Sequence, residues 1–276
     1  MAIITISRQP YSFGDEIAQE IAKKLNYKLI DKFIINNKVK DFHCNFSDEL
    51  HDLANEKEPG FFKHFFKNPE VYNCLVQAIL FEEASHDKIV IKGRGGQYIL
   101  NQPYVLKIRI MAPFNVRCSY LEKKERVNHS LAEKLLAKKD HEREYFIRYL
   151  FKKDISKTNS YDLIFTGQIS CFDHYKLGAD LIISTILDYA KKIEKTQPLT
   201  ENNKDNLKRL SLEKRVEATI KKEISSEHVD LNIGCEKLGD IKITGFVADE
   251  IERNKIFKLA QLCHGVNSVD NQLSVT

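Results

Sequence analysis

The strongest constraint on this chain is a strand, a loop and a helix in immediate succession. Ile3, Ile4 and Ile6, with Thr5 among them, form a short β-branched apolar run. A run without polar alternation predicts a strand buried on both faces, central in a parallel sheet. Ser7-Arg8-Gln9-Pro10-Tyr11-Ser12-Phe13-Gly14 follows, and its proline and glycine predict a loop. Ile17, Ile21 and Leu25 then recur at helical spacing, with Ala18 and Ala22 beside them.

The same alternation continues. Tyr27 to Asp31 predicts a second short strand, and residues 33 to about 85 predict mostly helix, broken at Glu58-Pro59-Gly60. Lys88 to Gly96, KIVIKGRGG, predicts a strand and then a glycine turn. Tyr104 to Pro113 is a further strand, Asn115 to Leu150 a long helical region, Tyr161 to Gly167 another strand, and Ala179 to Ile193 a closing helix. Strands alternating with helices predict an α/β fold with a parallel sheet covered on both faces.

Residues 194–208 are polar and nearly without apolar anchors, which predicts a linker. Beyond it, Leu212, Val216 and Ile220 mark a helix, VDLNIG and DIKITGFVA two strands, Glu250 to Leu262 a helix and VNSVDNQLSVT a last strand. This α-β-β-α-β pattern is enough for a small second domain, so the expected organisation is 1–193, a linker at 194–208, and 209–276. A chain of 276 residues that is 42% hydrophobic supports two cores.

Several function classes are disfavoured. A net charge of +4 accommodates an anionic ligand but does not suggest a nucleic-acid binder. The six cysteines form no CxxC pair and predict reduced, mostly buried thiols. The nine histidines show no HExxH or zinc-finger spacing, so no structural metal is expected. The apolar run Met1 to Ile6 is too short for a signal-peptide core, and no run reaches the roughly 18 apolar residues of a membrane span. The expected compartment is therefore the cytoplasm.

A loop between a first strand and a helix is a place where backbone N–H groups and a helix N-terminus favour an anion. The pattern GxxxxGK[ST] is not met here: Gln9 stands first, Gly14 is the glycine, and Asp15 and Glu16 follow. One reading is a modified phosphate loop. The other is a plain turn at Gly14, with Asp15 and Glu16 favouring the helix N-terminus. Arg8 and Arg94 each follow a predicted strand, where open α/β sheets bind ligands. A guanidinium can grip a phosphate through two N–H groups, or can pair with a carboxylate such as Asp31. In Lys138 to Asp154, Arg143 and Arg148 are five apart, whereas Tyr145 and Tyr149 are four apart and share a helical stripe. The charges there form either a solvated face or an arginine-bearing cover over phosphates.

Taken together, ITISRQPYSFGDEIAQEIAKKLNYKLID, VIKGRGGQYIL, IRIMAPFNVR, KKDHEREYFIRY and SYDLIFTG resemble the cytidylate-kinase-like branch of the P-loop nucleotide kinases. The resemblance implies a nucleoside-monophosphate-kinase-like parallel sheet with flanking helices, and ATP-dependent phosphoryl transfer to a nucleoside monophosphate with Mg²⁺. Carried over, Ser12 and Gly14 are the surviving loop members, with Arg8 and Asp15 beside them. Asp31 faces the acceptor, Arg94 grips its phosphate, Arg117, Arg143 and Arg148 clamp phosphates, and Asp140 orients the lid. The family's loop is GSGG followed by a basic residue. Here that span is Tyr11-Ser12-Phe13-Gly14 followed by Asp15, which implies weak or absent catalysis and a sensing or scaffolding role as the alternative. Residues 209–276, with IKITGFV and HGVNSVDNQLSV, resemble a BON domain, which implies protein or phospholipid contacts. There Gly245 is expected in a turn, and Val266, Val269, Leu273 and Val275 in the core.

Overall fold

The computed structural model describes residues 2–41, 69–166, 175–224 and 230–276. The chain divides into two compact units: Met1–Lys32 with Asp87–Leu199, and Phe33–His86 with Thr200–Thr276.

The first unit is built on β1 (Ile3–Arg8), β2 (Lys28–Ile30), β3 (Ile89–Lys92), β4 (Val105–Met111) and β5 (Leu163–Thr166), in the order β2-β3-β1-β4-β5. All four pairings are parallel, with Ile4 level with Val90 on one side and Leu106 on the other. The opening strand is therefore central, and Ile3, Ile4 and Ile6 are buried as their pattern requires. Its helix α1 (Gly14–Leu25) places Ile17, Ala18 and Ile21 against Ile4, Ile6 and Val90, with residues of α7 (Tyr175–Thr196) in the same core. The long helical region is two helices, α5 (Phe114–Glu125) and α6 (His129–Phe151). They part where Arg126 turns left-handed and Asn128 accepts a capping bond from the Leu131 N–H. The short helix α4 (Gly96–Ile99) follows the glycine turn.

The second unit holds α2 (Lys32–Asp41), apart from its first residue, then α3 (Pro69–Ser85), α8 (Glu201–Glu223), β6 (Asp230–Lys237), β7 (Asp240–Val247), α9 (Glu250–Gln261) and β8 (Ser268–Val275). Its sheet runs β6-β7-β8, antiparallel then parallel, over a core of Leu212, Val216, Ile241, Ile243, Ile256 and Leu273.

Four expectations change. The stretch 194–208 is helical at both ends, because α7 runs to Thr196 and α8 starts at Glu201. Thr200 caps α8 and Leu207 is fully buried, so one apolar anchor and one cap suffice to order a polar sequence. The segment 33–86, expected with the first domain, groups with the C-terminal residues because α3 packs along α8. Gly245 lies inside β7 at φ 135° rather than in a turn, and Val275, the last residue of β8, is exposed. Val266 and Val269 do pack on the core. Cys74, Cys118 and Cys235 are buried free thiols and Cys263 is half-buried. The expected break at Glu58-Pro59-Gly60, Gly167, Cys44 and Cys171 lie outside the described residues. Among the described residues no helix is long and apolar enough to cross a membrane.

Candidate anion-binding site

The carboxyl ends of β1 and β3 lie side by side and each runs into a tight loop. After β1, the Gln9 N–H donates to the Ile110 carbonyl at 3.0 Å and Gln9 Oε1 accepts from the Ala112 N–H at 3.0 Å, so β4 fixes the loop's start. The loop then passes through left-handed backbone at Tyr11, φ 58°, and Phe13, φ 63°. An L-residue there costs about 1–2 kcal/mol. Packing offsets that cost. The Phe13 side chain is buried with its ring 4.2 Å from that of Tyr120, and the Tyr11 hydroxyl donates to Glu125 Oε1 at 3.0 Å. Burial, then Glu125, pushes Tyr11 up to about 12, so it remains a donor. Both aromatics thus tie the loop to α5.

The charges lie just beyond. Arg8 Nε donates to Asp15 Oδ1 at 3.0 Å, its Nη2 lies 2.9 Å from the same oxygen, and Lys92 Nζ lies 3.4 Å away. Lys92 also reaches Asp31 Oδ2 at 3.8 Å. Burial alone would raise Asp15, but Arg8 and then Lys92 outweigh it and hold the carboxyl below its usual range. Arg143 of α6 donates to the Arg8 carbonyl. Burial, then the Arg8 guanidinium, pushes Arg143 down to about 9, which leaves it charged at neutral pH. Lys32 is lowered by burial and then by Arg94, Lys139 and Arg8. Six cations therefore gather around Asp15 and Asp31, and all but Lys92 act on another cation of the group. Mutual repulsion of this kind is relieved by an anion. A cavity of about 210 Å³ opens beside them, lined by Tyr11, Phe13, Tyr120, Asp15, Lys139 and Arg143 among others.

The residues singled out in the sequence separate into groups. Arg8, Asp15, Asp31, Arg94 and Arg143 share the charged cluster. Arg94 sits at φ 54° between Gly93 and Gly95, with its guanidinium 5.4 Å from the Phe146 ring centroid. Gly14 is required by space: an added Cβ would stand 2.4 Å from Arg8 Cβ. Ser12 is buried, and its hydroxyl donates to Gln9 O at 2.9 Å and Ile110 O at 3.3 Å. Arg117 is buried and donates to Ala112 O at 3.0 Å, Pro10 O at 3.4 Å and Asp140 Oδ1 at 2.9 Å. It holds the loop to α6, and Asp140 is its partner. Arg148 is exposed in the last turn of α6 and acts on Asp154, whose carboxyl is lowered chiefly by Ser156. Lys32, Lys92 and Lys139 were missed. The position of Lys92 at the end of KIVIK and of Lys139 one turn before Arg143 were the available signals.

Residues 3–168 match the model of the Cytidylate kinase-like family, and residues 210–276 match that of the BON domain. Among solved structures, an uncharacterized protein from Eubacterium ventriosum is similar at 18% identity and TM-score 0.53, over 69% of this chain and 99% of that one. Shikimate kinase from Bacteroides thetaiotaomicron is 12% identical at TM-score 0.41, over 67% of this chain and 98% of its own. Dephospho-CoA kinase from Campylobacter jejuni is 14% identical at TM-score 0.33, over 67% and 97%. No curated protein matches the chain.

Proposed function

Because the chain belongs to the cytidylate kinase-like family, we propose that its first unit binds a phosphate-bearing nucleotide and transfers phosphoryl groups from ATP slowly or not at all. The observation that carries this reading is the position of Asp15. Its carboxylate lies among Arg8 and Lys92 and neutralises cations that would otherwise meet a phosphate. An incoming phosphate competes with an anion already held in place. Arg94, Arg143, Lys139 and Lys32 add cationic side chains to the place where an anionic ligand would sit, and the aromatic walls of the adjoining cavity suit a ring attached to it.

ATP's phosphates fit this donor set. Mg²⁺ fits less well, because it needs free oxygen ligands and Asp15 and Asp31 are both engaged by cations. No step is therefore assigned to a metal. The residues of this chain bind and orient: Arg143 and Arg94 stand in the cationic cluster, and Tyr11 and Phe13 fasten the loop to α5 through Glu125 and Tyr120.

A second role is favoured by the BON-matching unit, which exposes Ile251 at 79% and Leu262 at 82%. Apolar side chains this open support a protein or phospholipid contact, with the first unit acting as a nucleotide sensor.

The test is calorimetry with ATP and each nucleoside monophosphate, beside a turnover assay, on wild type and Asp15→Asn. Nucleotide binding without turnover in wild type, and affinity about tenfold higher in the variant, a gain of about 1.4 kcal/mol, are expected. Robust wild-type turnover that collapses in Asp15→Asn would overturn the reading and make Asp15 a metal ligand.

A further inference from the structure

At the turn between α5 and α6, three side chains of different chemistry converge. Cys118 and Glu122 are one helical turn apart on α5, so they share a face. His129 is the first residue of α6, set there by the Asn128 cap. Cys118 Sγ lies 3.6 Å from Glu122 Oε1 and 3.8 Å from His129 Nδ1, and His129 Nδ1 lies 2.5 Å from Glu122 Oε1. Ligands bonded tetrahedrally at about 2.0–2.3 Å stand roughly 3.3–3.6 Å apart, so the Cys118–Glu122 edge already fits and the Cys118–His129 edge is about 0.2 Å long. The third opens if the Glu122–His129 hydrogen bond is exchanged for two metal bonds.

We propose that Cys118, Glu122 and His129 form a site for a zinc-class divalent cation, with water as the fourth ligand. The surroundings carry the idea beyond a chance cluster. Glu133 Oε1 lies 3.5 Å from His129 Nε2, the carboxylate partner that a metal-bound imidazole uses on its far nitrogen. Cys118 is fully buried against Leu121, Ala132 and Leu136, which keeps water from one side of the site, while His129 is 63% exposed and leaves the other side open to an arriving ion. Binding forms one S–metal, one N–metal and one O–metal bond. The thiol proton and the proton between Glu122 and His129 leave to the buffer. The spacing C-x3-E-x6-H matches no common zinc pattern, so the site is visible only once the two helices are packed.

The site would staple the start of α6 to α5. The Arg117–Asp140 pair joins the same two helices further along, and α6 carries Lys139 and Arg143. The ion would therefore have a positioning role and no contact with the reacting groups. This inference is independent of the nucleotide reading, since metal binding is measured without nucleotide.

The experiment uses the full chain, stripped with a chelator and titrated with Co²⁺, then with Zn²⁺ against a competing chelator. One Co²⁺ per chain with a thiolate-to-cobalt charge-transfer band is expected. Cys118→Ser should abolish the band, His129→Gln should weaken affinity by more than about a hundredfold, and Glu133→Gln by about tenfold. His129 is exposed, so His129→Gln should keep its far-ultraviolet circular dichroism, and Zn²⁺ should raise the melting temperature of wild type but not of this variant. A wild type without the charge-transfer band, or equal affinity in wild type, Cys118→Ser and His129→Gln, would mean a buried thiol beside an ordinary charge pair and would sink the proposal.

Discussion

The loop after β1 and the loop after β3 leave neighbouring parallel strands, and both pass through left-handed backbone. After β3 the conformation is taken by Gly93 (φ 80°), Arg94 (φ 54°) and Gly95 (φ 71°). After β1 it is taken by Tyr11 and Phe13, with no glycine until Gly14. The first loop thus carries its left-handed backbone on two aromatic residues, and the second carries it on two glycines around Arg94. Residues with side chains hold left-handed backbone where other contacts offset the strain. Those contacts are Phe13 on Tyr120 and Tyr11 on Glu125, and they tie the first loop to α5.

The comparison breaks most visibly at Gly95. A Cβ there would stand 2.3 Å from the Phe151 ring on backbone at φ 71°. Left-handed strain of about 1–2 kcal/mol adds to overpacking of about 1–3 kcal/mol. Gly95→Ala should cost roughly 3 kcal/mol, read as a lower urea midpoint with an unchanged slope. A loss under about 1 kcal/mol would mean that the second loop has as much slack as the first.

Next in size is Phe13→Gly, which restores the residue the backbone prefers. Relief of about 1–2 kcal/mol meets the loss of a buried aromatic worth about 3–5 kcal/mol. The net effect should be destabilising by roughly 2 kcal/mol. A stabilised variant would show that Phe13 is strained rather than supporting. Tyr11→Gly isolates the other half, because Tyr11 is half-buried and loses one exposed hydrogen bond and an edge contact at 6.1 Å. Strain relief and lost contacts nearly cancel, and its midpoint should fall within about 0.5 kcal/mol of wild type.

How much of this was legible depended on whether the signal was local. The five-strand parallel sheet and the α-β-β-α-β unit were, because β-branched runs and helical spacing lie within single elements. Arg8, Asp15, Asp31, Arg94 and Arg143 were legible as strand-end or helix positions. The inward turn of Ser12 was not, since it depends on the Ile110 carbonyl across the sheet. Nor was the structural work of Arg117, whose acceptors come from Pro10, Ala112 and Asp140. The grouping of 33–86 with the C-terminal residues was hidden for the same reason, because burial of α3 against α8 leaves no mark in the sequence between them.

The smallest effect concerns Asp15 and acid. Its side chain is 44% exposed, so the attraction of Arg8 and Lys92 is screened and is worth a few tenths of a kcal/mol, about the size of a surface pair. Its carboxyl is held below its unfolded value of about 3.9, so the folded protein binds this proton less readily than the unfolded chain. The contribution is complete above about pH 4 and disappears as pH falls through the lower folded value. Wild type should therefore lose slightly more stability between pH 5 and pH 3 than Asp15→Asn, seen in melting temperatures in a non-phosphate buffer. At pH 7 the variant leaves Arg8, Lys92 and Arg143 repelling one another, and should melt slightly lower than wild type. Inorganic phosphate should then raise its melting temperature more than it raises that of wild type, because the anion takes the place of the lost carboxylate. Equal responses to phosphate would mean that Asp15 does not occupy the anion's place, and the contrast between the two loops would reduce to packing.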